Sequence, residues 1–184
     1  MAFGYTSSLF GIATSGGYQT LLGGSKDAFY SYFDNSGTIV YSTYFGGLGD
    51  DEALSGQFVS DGALSKAVMV GSTNSAQGIT PNGALSDTTL DGLSDGFIAV
   101  FNTNGTFQYS SYFGGNDVDY ISDVKLSGAT NDWTQLLLCG VTSSTSGFSA
   151  SNSYQGANDA FVAKVSLSGA TLVNNGFVYY GGSD

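Results

Sequence analysis

The sequence predicts an all-β fold built from an internal repeat, and three observations carry that prediction. The phrase Ser42-Thr43-Tyr44-Phe45-Gly46-Gly47 returns as Ser110-Ser111-Tyr112-Phe113-Gly114-Gly115 and again as Val178-Tyr179-Tyr180-Gly181-Gly182, so the glycine pairs begin at 46, 114 and 181, a period of 68 and then 67 residues. Two further phrases keep the same beat. Gly4-Tyr5-Thr6-Ser7-Ser8 recurs at Gly71-Ser72-Thr73-Asn74-Ser75 and Gly140-Val141-Thr142-Ser143-Ser144, and Asp27-Ala28-Phe29 recurs at Asp95-Gly96-Phe97 and Asp159-Ala160-Phe161. Three markers in fixed order, each seen three times, define a repeat architecture. The third observation is compositional: 28 glycines lie spread between apolar runs, while one Glu, no Arg and no 3.6-residue periodicity leave little from which to build a helix.

The elements follow in order within the unit that starts at Asp27. Residues 28–33 form a first strand, closed by the turn Asp34-Asn35-Ser36-Gly37. Residues 38–45, rich in β-branched and aromatic side chains, form a second that stops at Gly46-Gly47. A third spans 53–60 and stops at Asp61-Gly62; a fourth spans 66–71 and leads into a long polar connection holding Pro81, the single proline. The next unit repeats the series at 97–101, 106–113, 120–126 and 135–140, and a last one opens at 161–165. The repeats run roughly 1–26 (partial), 27–94, 95–158 and 159–184 (partial) within one domain.

Burial differs among these strands. Residues 97–101 and 67–70 are apolar at every position, so both faces must be covered. Residues 121–126 mix Asp123 and Lys125 with apolar positions, as a strand nearer solvent does. Four strands per repeat, some covered on both faces, describe a sheet packed between neighbouring sheets. Radially arranged four-stranded antiparallel blades satisfy this pattern and protect the strand edges. The prediction is a β-propeller-type array of about three blades, open or completed by oligomerisation.

These phrases resemble the bacterial β-propeller repeat called the SBBP repeat. Asp159-Ala160-Phe161-Val162-Ala163-Lys164 and Tyr41 to Gly47 match its two strand phrases, and Gly49-Asp50-Asp51-Glu52-Ala53 matches its acidic turn. The resemblance covers essentially the whole chain, about 2.7 repeats. It implies blades from a secreted or cell-surface protein, often multi-modular, and brings no catalytic residues with it. A closed propeller needs four to eight blades. The expectation is therefore either a piece of a longer parent chain that supplies the missing blades or copies that associate through open blade faces. The Met-Ala-Phe-Gly start has neither a basic region nor a cleavable apolar stretch, and Gly4 already lies inside a repeat, so no signal peptide is expected in these residues.

Charge and composition exclude several functions. Four Lys stand against 14 Asp and one Glu, a net charge of −11, which leaves almost nothing to replace nucleic-acid counterions or to hold an anionic lipid surface. No run of 18 apolar residues occurs, so membrane insertion is not expected. Histidine and arginine are absent, which removes Ser-His-Asp and Cys-His catalysis and His-based zinc sites. Cys139, the lone cysteine, occupies the repeat position of Val70 and reads as a small core hydrophobe. An enzyme is not predicted.

Two binding possibilities remain. Asp50, Asp51 and Glu52, with Asp117 and Asp119 at the equivalent turn and Asp184 at the third, crowd hard oxygen ligands of the kind that Ca²⁺ takes. They lack the spacing of a calcium loop, and Asp commonly caps turns without a metal, which is the favoured reading. Asp27, Asp95 and Asp159 most simply tie down turn amides, and Phe29, Phe97 and Phe161 most simply fill the core between sheets. Tyr18, Trp133 and Tyr154, like Tyr5, lie in or near polar connections; exposed rings beside Asn and Asp are what glycan binding uses. Asn104-Gly105-Thr106 reads as a hairpin turn rather than a glycosylation site. The function expected from sequence is a non-catalytic structural or protein-interaction module, with a carbohydrate-binding module as the alternative.

Overall fold

A computed structural model describes residues 1–59, 65–80, 87–127, 135–148, 150, 153–168 and 171–182. All of the assigned elements are strands: β1 (Ala2–Thr6), β2 (Asp27–Phe33), β3 (Ile39–Phe45), β4 (Asp51–Val59), β5 (Lys66–Thr73), β6 (Asp95–Asn102), β7 (Phe107–Phe113), β8 (Asp119–Leu126), β9 (Gln135–Thr142), β10 (Asp159–Ser168) and β11 (Thr171–Tyr180). They form three antiparallel meanders, β1-β2-β3, β4-β5-β6-β7 and β8-β9-β10-β11, none closed on itself. Every strand expected from the sequence is present, each displaced by a few residues at most. The hairpin turns use the expected glycines: Gly37 and Gly105 sit at φ +83° and +88°, a left-handed backbone that the other L-residues adopt only with strain.

The sheets run out of phase with the repeat delimited from Asp27. β2 and β3 open the 27–94 unit but close the first sheet, while β4 and β5 of that unit open the second. The reason lies in the connections. The long polar segment after β5 returns to β6, its antiparallel neighbour, whereas the short turn through Gly46-Gly47 crosses to the next sheet. The glycine pair therefore marks a change of sheet.

The sheets stack in chain order, with β1 and β2 against β4, and β4, β5 and β6 against β8. Two apolar layers result. Between the first and second sheets lie Tyr30, Tyr41 and Phe45, facing Met69, Phe97 and Phe101. Between the second and third lie Val68, Val70, Ile98, Val100 and Phe113, facing Ile121, Leu138, Phe161 and Phe177. The middle sheet is thus covered on both faces, and β6 is buried along all but its last residue. β10 shows what one-sided cover does to similar residues: Phe161, Ala163 and Val165 are buried, while Ala160, Val162 and Lys164 between them are exposed. β9 alternates in the same way and corrects one expectation. Cys139 is exposed, not core, because Val70 owes its burial to the third sheet and none of the described residues covers the third sheet in turn.

Candidate functional site

The three repeated phrases meet in space. At each crossing, a strand ends in a glycine pair, and the carboxylates that open two other strands close around it. At the first station the Gly47 amide donates to Asp51 Oδ2 at 2.7 Å, and the Ser75 hydroxyl donates to the same oxygen at 2.8 Å. The Thr73 hydroxyl donates to Asp51 Oδ1 while accepting the Ser75 amide at 3.0 Å. At the second station Gly115 and Ser144 donate to Asp119 Oδ2, each at 2.7 Å, and the Ser144 amide bonds the Thr142 hydroxyl at 2.9 Å. The Gly-x-Thr-x-Ser phrase is therefore the donor set for the aspartate that opens the neighbouring strand, β4 or β8.

The other aspartate holds the preceding loop. Asp27 accepts the amides of Gly23 at 2.8 Å and Gly24 at 3.1 Å; Asp95 accepts Asp91 at 3.0 Å and Asp159 accepts Gln155 at 2.7 Å. These are the turn amides expected from the sequence. Glycine is required between the two carboxylates: a Cβ on Gly46 would lie 2.5 Å from Asp51 Oδ2 and 2.9 Å from Asp27 Cγ. One on Gly114 would meet Asp95 Oδ1 at 2.4 Å.

The two complete stations differ in what meets the first aspartate. Gln19 donates its amide to Asp27 Oδ2 at 2.5 Å and accepts the Gly46 amide at 3.0 Å. One period later the same place in the backbone is taken by Asp87, whose carbonyl accepts the Tyr112 amide at 3.3 Å as that of Gln19 accepts Tyr44 at 3.0 Å. Asp95 Oδ2 accepts the Asp91 amide as Asp27 Oδ2 accepts that of Gly23, but Asp95 Oδ1 is buried without the partner that the Gly24 amide gives Asp27 Oδ1. Burial, with Asp119, Asp87 and Asp91 nearby, pushes Asp95 up to about 7. Burial likewise raises Asp51 and Asp119 above the usual carboxylate range.

The residues singled out by sequence fall into distinct settings. Asp51 and Asp119 are the buried carboxylates just described. Asp50 accepts the Ser25 hydroxyl, its amide donating to Asn74 at 2.6 Å, and Glu52 pairs with Lys26. The Asp117 amide donates to Ser144 Oγ at 2.9 Å. Among the described residues no three His, Cys, Asp or Glu side chains converge as a metal would require. Tyr18, 37% exposed, sits at the margin of the layer between the first two sheets, stacked on Phe107 with centroids 4.7 Å apart. Tyr154 bonds the Ala157 carbonyl at 2.6 Å and lines an open recess of about 430 Å³ with Phe148 and Tyr179. Trp133 and Asp184 lie outside the described residues.

Sequence reasoning missed the pairing of Asp27 with Asp51 and of Asp95 with Asp119. The signal was present, since each aspartate recurs at a fixed distance from the same glycine pair. Sequence reasoning expected open faces without naming the residues on them; on the third sheet Leu137, Val162, Val178 and Tyr180 are 42%, 45%, 44% and 82% exposed.

No protein-family model matches the chain, and no curated protein matches it. The geometry itself therefore carries the functional reading.

Proposed function

We propose that the chain is a non-catalytic structural and protein-interaction module, a β-propeller-type array of SBBP-like blades belonging to a secreted or cell-surface protein. The observation that carries this reading is the construction of the repeat. All three recurrent phrases serve the latch between successive sheets, so what the sequence repeats is a device for stacking sheets. The stations are sealed: Asp27, Asp51, Asp95, Asp119 and Asp159 are all 0% exposed, presenting no carboxylate to a substrate. The broad apolar surface lies on an open sheet face, which suits association with protein rather than capture of a small molecule. In this reading calcium is not needed, because the carboxylates that would hold it are engaged with amides and hydroxyls at the first station.

A carbohydrate-binding module is the second reading, favoured by the recess at Tyr154 and Tyr179, where ring faces stand beside Thr145 and Ser153. A glycan array probed with the purified chain separates the two, run once with calcium and once with EDTA. The expected result is no retained sugar under either condition. Retention that Tyr154→Ala abolishes would replace the structural reading with the carbohydrate one, and retention lost only in EDTA would restore the calcium site.

A further inference from the structure

We propose that the open face of β8–β11 receives the outer face of β1–β3 of a second copy of this chain, joining copies head to tail. The inference rests on the reading of the chain as a stack of sheets, and it names the partner. The argument comes from two interfaces that the chain already makes. The back of each sheet packs on the front of the next, and the residues involved stand in repeat register. On the second sheet the back is Val68, Val70, Ile98 and Phe113, which the third sheet covers to 0%, 0%, 0% and 7% exposure. The register of β9, β10 and β11 places Leu137, Cys139, Val162 and Tyr180 at the same four positions. These are exposed, Tyr180 to 82%. The third sheet thus presents the same kind of apolar surface that the second sheet buries, with none of the described residues over it.

The complementary face is at the other end. The front of each later sheet carries a phenylalanine lying close to a glycine of the adjacent strand: a Cβ on Gly140 would sit 2.7 Å from the Phe161 ring. A Cβ on Gly4 would sit 3.0 Å from the Phe29 ring, so the first sheet carries the same front. Within the chain, the aromatic ring ending the last strand of one sheet sits on that phenylalanine of the next. Phe45 and Phe97 have centroids 5.4 Å apart, and Phe113 and Phe161 5.7 Å. Tyr180 is the third member of the first series, and Phe29, only partly buried, is the member of the second with no ring before it. The docking places Tyr180 over the partner's Phe29, with Val162 and Leu137 turned toward the partner's Phe33.

Charge favours the same pairing. The open face carries Lys164 and Lys125, two of the four lysines in a chain of net charge −11; Asp123 pairs with Lys125, which leaves Lys164 to meet another acidic copy. Repulsion between whole copies remains, so association strengthens as salt rises toward physiological ionic strength. The interface is heterologous; it produces rings if the rotation closes and filaments if it does not.

The test is light scattering on the purified 184-residue chain over a range of concentrations, with the reactivity of Cys139 toward a thiol reagent followed in parallel. The expected result is a mass that rises from 18.9 kDa to its multiples, with Cys139 at least tenfold less reactive in the assembled form. Val162→Asp on the open face and Phe33→Asp on the outer face of β2 should each leave a monomer with unchanged circular dichroism. Their equimolar mixture should form a dimer, because each retains one intact half of the interface. A wild-type chain that stays monomeric and folded overturns the proposal but leaves the stacked-sheet reading standing. Dimers of Phe33→Asp alone would mean that two open faces pair with each other, which overturns it as well. Loss of the native spectrum in Val162→Asp would be resolved by Tyr180→Ser, a change at a side chain that the fold leaves exposed.

Discussion

Asp95 is the residue whose chemistry is least like its surroundings. It is fully buried, one oxygen accepts only the Asp91 amide, and the other has no hydrogen-bond partner. Its counterpart Asp27 accepts a backbone amide on each oxygen, from Gly23 and Gly24, and the Gln19 side-chain amide besides. Because the folded state holds the Asp95 proton up to about pH 7 while an unfolded chain releases it near 3.8, the native form binds more protons between those values. Its contribution to stability is therefore fully present below the unfolded pKa and is lost as pH rises through about 7. Asp51 and Asp119, also raised by burial, act with the same sign. The melting temperature should fall between pH 5.5 and pH 8. Asp95→Asn should shrink that fall and raise the pH 8 value by roughly 2–4 °C, the shift that about 1 kcal/mol produces in a domain of this size. Asn keeps an acceptor for the Asp91 amide and gains a donor. A variant that melts lower at pH 8 would show that the Asp95 charge is compensated in a way the geometry omits.

At the scale of elements, the latch explains why the sheets change where they do. The turn leaving β3 must bring Gly47 to Asp51 while β5 delivers Thr73 and Ser75 to the same carboxylate. Thr73→Val keeps the side-chain shape but leaves Asp51 Oδ1 without its donor, and a buried acceptor left unpaired costs about 1–3 kcal/mol. The equivalent change in β1 is a control within the same molecule. The Thr6 hydroxyl accepts the exposed Ser8 amide at 3.0 Å and has no carboxylate partner among the described residues, so Thr6→Val should cost less than about 1 kcal/mol. Urea unfolding of both variants measures the contrast, and the reverse order would sink the latch. The strands themselves were legible in the sequence because β-branched and aromatic runs ended by glycine leave few alternatives. Their grouping was not. The Asp27 phrase opens a strand, so the repeat was delimited there, yet the physical boundary is the glycine pair, where the chain stops pairing with its neighbour and crosses to the next layer.

For the whole molecule, the sequence revealed most of the strands, though not β1, and which of them are covered on both faces, but not that similar strands end in different environments. Phe97-Ile98-Ala99-Val100-Phe101 reads as buried on both sides and is. Cys139 reads as core by analogy with Val70 and is exposed, since burial here depends on the number of sheets to either side, which a repeat cannot encode locally. A stack of this kind gains stability from each layer and from its contacts with the next. The middle sheet has two such contacts. The first and third have one each, and β11 is moreover an edge strand with alternate side chains in solvent. Local opening should follow that order. In native-state hydrogen exchange of the monomer, amides of β5 and β6 should exchange only through global unfolding. Those of β11 should open at a free energy lower by at least about 2 kcal/mol, close to the contribution of burying one large apolar side chain. The comparison has a second use at concentrations where copies associate. β11 should then gain protection while β5 and β6 change little, because docking would give the third sheet the cover that the second already has. Equal protection of β6 and β11 in the monomer would mean that the three sheets unfold as one cooperative unit, with the uncovered face costing the molecule nothing.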